Sequence, residues 1–149
     1  MSDSLPSVES LIPHRGRFLL IERIDALGDD EIEAVGRFTV DDVEGHFPGQ
    51  PVVPGVLLLE GLAQTMACMH VARFKAEGGT PFLAGFEKAR FRAPVIPPAE
   101  VTFKVKFRES RFGMVMASGT AFCRGKRVCT ARMSGLVVPA SEIETEGPT

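Results

Sequence analysis

Apolar and polar positions alternate most cleanly late in the chain. Val101, Phe103, Val105 and Phe107 are interleaved with Thr102, Lys104, Lys106 and Arg108, a period of two that reads as a half-buried strand. Similar patterning gives four strands after residue 80, over Pro81–Phe91, Val101–Glu109, Met114–Cys123 and Lys126–Val138. Turns at Pro94–Ala99, Ser110–Gly113 and Arg124-Gly125 join them. Earlier, Leu11–Arg15 reads as a turn entering a strand over Phe18–Leu27. A hairpin turn at Gly28–Asp30 leads to a second strand, Glu31–Thr39, with Ile32, Ala34, Gly36 and Phe38 on one face. Met1–Glu9 is polar and reads as loose, and Pro139–Thr149 reads as a frayed tail.

Between the two groups of strands the period changes. Asp42–Pro54 is rich in glycine and proline and predicts a loop. Gly55–Ala72, GVLLLEGLAQTMACMHVA, then predicts a helix running from Pro54 or Gly55 to Lys75, begun by Pro54 and ended by Gly78-Gly79. Its length could barely span a bilayer, but the surrounding composition favours a buried core helix over a membrane span. A helix apolar nearly all round must be wrapped by other structure. An antiparallel sheet curling round a central helix, an α+β architecture, meets that need. The expectation is one domain over 1–149, with its core at about 11–138.

Composition narrows the function. Hydrophobic residues make up 44% of the 149, enough for a core, and the net charge of -2 argues against nucleic acid as a partner. No cationic start precedes an apolar run, so a cytoplasmic location is expected, with no membrane partner. Cys68, Cys123 and Cys129 show no metal-ligand spacing and read as reduced thiols in a core, with no metal and no disulfide. There is no phosphate-binding glycine loop and no serine in a nucleophile elbow.

Three features could carry chemistry. His46, in Gly45-His46-Phe47-Pro48-Gly49, titrates near neutrality and suits a general base, or it is a loop histidine bonding the backbone. Glu60 lies among Leu57, Leu58, Leu59 and Leu62. Buried there it would hold its proton to higher pH and act as an acid; the alternative is that it faces solvent. The amides of Gly55 and Val56 open the helix and could polarise a carbonyl, although a helix starting after proline needs no such role. Together the three suit removal of a proton beside a carbonyl and departure of a hydroxyl. Gln64, one turn after Glu60, either bonds it or lines a pocket. His14, beside Pro13 and Arg15, reads as a structural hydrogen bond, and His70 as packing near the helix's surface end.

These residues carry a resemblance. PHRGRFLLIER from Pro13, GHFPGQPVVPGVLLLEGLAQ over Gly45–Gln64 and LAGFEKARFRAPVIP over Leu83–Pro97 resemble, in order and spacing, the FabZ-type 3-hydroxyacyl-[acyl-carrier-protein] dehydratases. The resemblance implies a hotdog fold and a homodimer, or a trimer of dimers, with two sites at the subunit interface. It implies His46 of one subunit facing Glu60 of the other, and the Gly55 amide holding the thioester carbonyl beside Val56, with Phe47 and Gln64 lining the site. The substrate would be a (3R)-hydroxyacyl chain on acyl carrier protein and the product a trans-2-enoyl thioester, with no cofactor. Lys88, Arg90 and Arg92, alternating along one strand, form a candidate patch for the acidic carrier; solvated surface charge is the other reading.

Some positions depart from the family pattern. Arg17 stands where proline is usual, Glu22 where aspartate is, and Phe82 near a tyrosine that guards the tunnel; Pro97–Val101 replaces a Pro-Gly-Asp turn. They point to a divergent relative serving fatty-acid, polyene or polyketide assembly. Glu60, where isomerising relatives carry aspartate, favours dehydration without isomerisation. A thioesterase of the same fold and a non-catalytic acyl-binding protein are the alternatives.

Overall fold

A computed structural model describes residues 4–74 and 80–138. Helix α1 (Val8–Leu11) comes first, then β1 (Arg23–Leu27), β2 (Glu31–Phe38), the long helix α2 (Gly55–Phe74), β3 (Thr80–Phe91), β4 (Ala99–Arg111), β5 (Met114–Cys123) and β6 (Lys126–Val138). The strands form one antiparallel sheet in the order β1-β2-β4-β5-β6-β3. Two of its hairpins turn on residue pairs with positive φ, Phe112-Gly113 and Arg124-Gly125, the handedness that matches strand twist.

The predicted alternation is the burial pattern. Ala99, Val101, Phe103 and Val105 of β4 are buried, and Glu100, Lys104 and Lys106 between them are exposed. The buried face packs on α2, which also touches β2, β3, β5 and β6. Leu58, Leu62 and Met69 of α2 are buried with Phe38, Phe103 and Ile21. Burying one such side chain fully is worth about 1.5–3 kcal/mol. Contact from several strands is what a helix without a polar face requires.

Cys68, Cys123 and Cys129 are free and buried. Burial pushes the Cys68 thiol up to about 12 and the Cys129 thiol up to about 11, so both stay protonated and unreactive at neutral pH.

Four expectations need correction. The segment at the N-terminus is not loose where it is described: Ser7 caps α1, and Val8 is buried in the core. The first strand begins at Arg23 rather than Phe18, because Gly16–Phe18 form a 3-10 turn. The backbone of Phe18 and Leu20 then bonds to the Gln64 side chain instead of to a strand. Burial also reaches past the predicted face of β2 to Val35. Finally, β3 carries a bulge between Glu87 and Arg90, with Lys88 at φ 51, and it ends at Phe91. Lys88, Arg90 and Arg92 therefore do not alternate along one face, because an extra residue breaks the period of two.

The other strand limits agree to within two residues. Lys75, the Gly78-Gly79 stop and the Pro139–Thr149 tail lie outside the described residues.

Among the described glycines, Gly36 and Gly61 meet the closest approaches. A Cβ on Gly36 would stand 2.2 Å from the Leu20 carbonyl oxygen, so Gly36 lets the segment before β1 cross the sheet. A Cβ on Gly61 would stand 2.3 Å from the Phe103 ring, which has no exposed surface. Replacing Gly61 by alanine adds about 1 kcal/mol of helix preference, but overpacking a rigid core costs about 1–3 kcal/mol. At 2.3 Å the clash wins. Gly61→Ala is expected to lower the denaturant midpoint, and an unchanged or raised midpoint would contradict this packing.

Candidate active site

The loop before α2 is ordered by its own backbone. The amide of His46 donates to the Val43 carbonyl at 2.9 Å, and the amide of Val52 donates to the His46 carbonyl at 2.7 Å. Phe47 and Gln50 exchange hydrogen bonds at 3.0 Å each, and Gly49 takes φ 77 inside that turn. Val43 and Val53 are buried and pin both ends.

The His46 ring lies flat against Phe47, with centroids 4.2 Å apart. Its Nδ1 is 2.8 Å from the Val52 carbonyl oxygen. A carbonyl oxygen only accepts, so Nδ1 carries the proton and neutral His46 leaves a lone pair on Nε2. That is the form a general base needs.

His46 shares a recess with Gly55, Val56, Phe91 and Arg92. The first amides of α2 open there, since a helix start has no internal acceptors for them. Gly55 also packs closely across this recess. A Cβ there would stand 2.7 Å from the Phe91 ring, so the missing side chain makes room for Phe91 first.

Glu60 lines a different cavity of about 190 Å³, walled by His14, Gln64, Met66, His70 and Phe82. The two cavities share no residue. The expected burial of Glu60 is not found: its side chain keeps 39% of its exposure, because it lines this open groove.

Gln64 meets both expectations held for it. Its Nε2 donates to Glu60 Oε1 at 3.0 Å, and it lines the groove. The same Nε2 donates to the Phe18 carbonyl at 2.6 Å, and its Oε1 accepts from the Leu20 amide at 2.9 Å.

His14 departs from its expected role. Its Nε2 lies 3.8 Å from Glu60 Oε1, and its Nδ1 is buried with no hydrogen-bond partner. The sequence carried the signal in Pro13-His14-Arg15, but neighbours in the chain gave no sign that α2 would lie opposite. His70 lies ten residues after Glu60, about 15 Å along the helix at 1.5 Å per residue. Burial lowers its pKa below the ordinary histidine value.

The structure thus gathers His46, Phe47, Gly55, Val56 and Arg92 on one side, and Glu60 with Gln64 and His14 on the other. Lys88 and Arg90 line neither cavity. One half can take a proton beside a polarised carbonyl, and the other presents a carboxyl group to a hydroxyl. Among the described residues no cluster suits a metal ion.

The family model of the FabA-like domain matches residues 12–132. The 3-hydroxyacyl-[acyl-carrier-protein] dehydratase FabZ of Haemophilus influenzae (strain PittEE) is 35% identical over 130 residues, covering 85% of this chain and 88% of its own. Among solved structures, the dehydratase heterocomplex ApeI:P from Xenorhabdus doucetiae aligns with a TM-score of 0.76 at 18% identity, over 93% of this chain and 95% of that one. A hypothetical thioesterase with coenzyme A from Streptococcus pneumoniae aligns at 0.62 and 12%, over 78% and 85%. These likenesses are of fold, the hotdog fold, and a dehydratase and a thioesterase both share it.

Gln64 is the test of this geometry that needs no substrate. Gln64→Leu leaves the Leu20 amide and the Phe18 carbonyl without partners; both bonds are part-buried, and each such bond contributes about 0.5–1.5 kcal/mol net. The variant is expected to lose about 1–3 kcal/mol in denaturant unfolding. A change below about 0.5 kcal/mol would show that the bonds are not made.

Proposed function

The chain belongs to the FabA-like family, and on that premise we propose that it dehydrates (3R)-hydroxyacyl thioesters carried on acyl carrier protein to trans-2-enoyl thioesters. The observation that carries this reading is the pairing of a histidine with a free Nε2 and a helix start with free amides. A thioester α proton is weakly acidic, so a base must take it while the carbonyl is polarised. In this reading His46 Nε2 removes the proton from C2, and the Gly55 amide, beside Val56, holds the carbonyl oxygen. Glu60 gives its proton to the C3 hydroxyl, the C–O bond breaks, and water leaves. The elimination is neutral in electrons, so the reading calls for no metal or redox cofactor.

The two halves lie in separate recesses of one chain, which favours a homodimer, alone or as a trimer of dimers. His46 of one subunit would then face Glu60 of the partner subunit, giving two sites. The sheet supports this: β3 is an edge strand, and Phe82, Leu83 and Phe91 on it are exposed, as are Phe47 and Val56. An edge with exposed apolar side chains is a surface that natural proteins cover.

Arg92, which lines the His46 recess, is the cation best placed to meet an acidic carrier protein. The chain reads as one domain of the cytoplasm, where three free thiols stay reduced. Fatty-acid or related polyene and polyketide assembly is the setting this chemistry serves.

The test is hydration of trans-2-enoyl thioesters, followed as loss of enoyl absorbance with purified protein. Positioned acid and base groups each contribute about 10²–10⁴-fold. His46→Ala and Glu60→Gln are therefore each expected to lose at least about a hundredfold while folding normally. Release of free thiol without loss of the enoyl group would favour the thioesterase reading, and near-parental turnover in either variant would overturn the assignment.

A further inference from the structure

Glu60 Oε1 is approached from two elements. Gln64 Nε2 donates to it at 3.0 Å, and His14 Nε2 lies 3.8 Å away. The Gln64 amide cannot turn over, because its oxygen must face the Leu20 amide and its nitrogen the Phe18 carbonyl. Only a donor therefore reaches Glu60 from that side.

His14 sits on the loop after α1, and that loop is tied down by Arg15. The Arg15 guanidinium donates to the carbonyls of Ile12 at 2.7 Å, His14 at 2.6 Å and Glu9 at 2.8 Å. His14 Nδ1 is buried without a partner. A neutral imidazole carries one N–H, and a buried N–H without an acceptor is rarer than an acceptor left short of donors. The proton therefore belongs on Nε2, where Glu60 Oε1 can accept it. The present separation is longer than a finished hydrogen bond, and such bonds in active sites often tighten when substrate binds.

We propose that His14 is a positioning residue for Glu60: its Nε2–H and that of Gln64 both address Oε1, which places the acidic proton of Glu60 on Oε2. This rests on the assignment of Glu60 as the acid. A protonated carboxyl group accepts through one oxygen and donates through the other. Two donors on Oε1 therefore reserve Oε2 for the leaving hydroxyl. As the Oε2–H bond breaks and the proton joins the C3 oxygen, charge spreads onto the carboxylate. Both donors then strengthen, since hydrogen bonds to an ionised acceptor are about twice as strong as neutral ones. The proton returns to Glu60 from water between turnovers, and the proton on His46 leaves the same way.

Two measurements test this. The first reads His14 without turnover, by ¹⁵N NMR of histidine-labelled parent protein at pH 7, with the signal assigned by its loss in His14→Leu. The expected result is a neutral ring protonated at Nε2. A ring protonated at Nδ1, or at both nitrogens, overturns the proposal.

The second is kinetic. His14→Leu is expected to lower kcat about tenfold, the worth of one hydrogen bond made stronger in the transition state, with KM within about twofold. His14→Gln, whose amide nitrogen reaches the place of Nε2, should recover most of that loss. Turnover by His14→Leu equal to the parent's, or His14→Gln as slow as His14→Leu, contradicts the proposal. A parent protein that hydrates no enoyl thioester counts against the dehydratase reading instead, and the tautomer measurement tells the two failures apart.

Discussion

An α-helix turns about 100° per residue, so Gly55 and Glu60, five residues apart on α2, face directions about 140° apart. Most of the site's design answers that constraint. In the proposed reaction the helix start opens beside His46 and the carboxyl group reaches the same substrate, yet one straight helix cannot turn both toward one point. The two recesses, with no residue in common, are the structural expression of this angle. In the proposed dimer, a second copy of the helix would bring one chain's helix start against another chain's carboxyl group. The open groove that leaves Glu60 exposed would be the face turned to that second copy.

Rigidity comes from the sheet and from Gln64. The apolar circumference of α2 holds it inside the sheet, and Gly36 and Gly61 give up their side chains so that Leu20 and Phe103 can come close. Gln64 then uses its whole amide group to join α2, the segment before β1 and Glu60. The backbone that β1 does not use is thereby satisfied by a site residue. Packing and positioning act through one side chain here, and changing it affects stability as well as the site.

Much of this was legible in the sequence, for reasons that differ by element. β4 to β6 could be read because one of their faces is buried, and burial enforces a period of two. α2 could be read from its length and from Pro54 before it. The segment from Phe18 to Leu20 could not, because its backbone is bonded to a glutamine 44 to 46 positions away, which leaves no local trace. The bulge at Lys88 was hidden for a related reason: one inserted residue shifts the face of all that follow, and no glycine marks the positive φ. At the site, His46 and Glu60 stood out as polar residues in apolar or constrained settings. His14 did not, since its meaning depends on a neighbour 46 positions on, and Glu60 was read as buried because its sequence neighbours are leucines.

A working site shared between two chains can be taken apart and rebuilt by subunit mixing. His46→Ala and Glu60→Gln proteins, each inactive, would be mixed and allowed to exchange subunits, with exchange confirmed by native mass spectrometry. Random exchange makes half of the dimers hybrid, and each hybrid holds one intact site of two, so the account predicts a return to roughly a quarter of parental activity. A mixture that has exchanged fully and stays inactive would contradict the shared site.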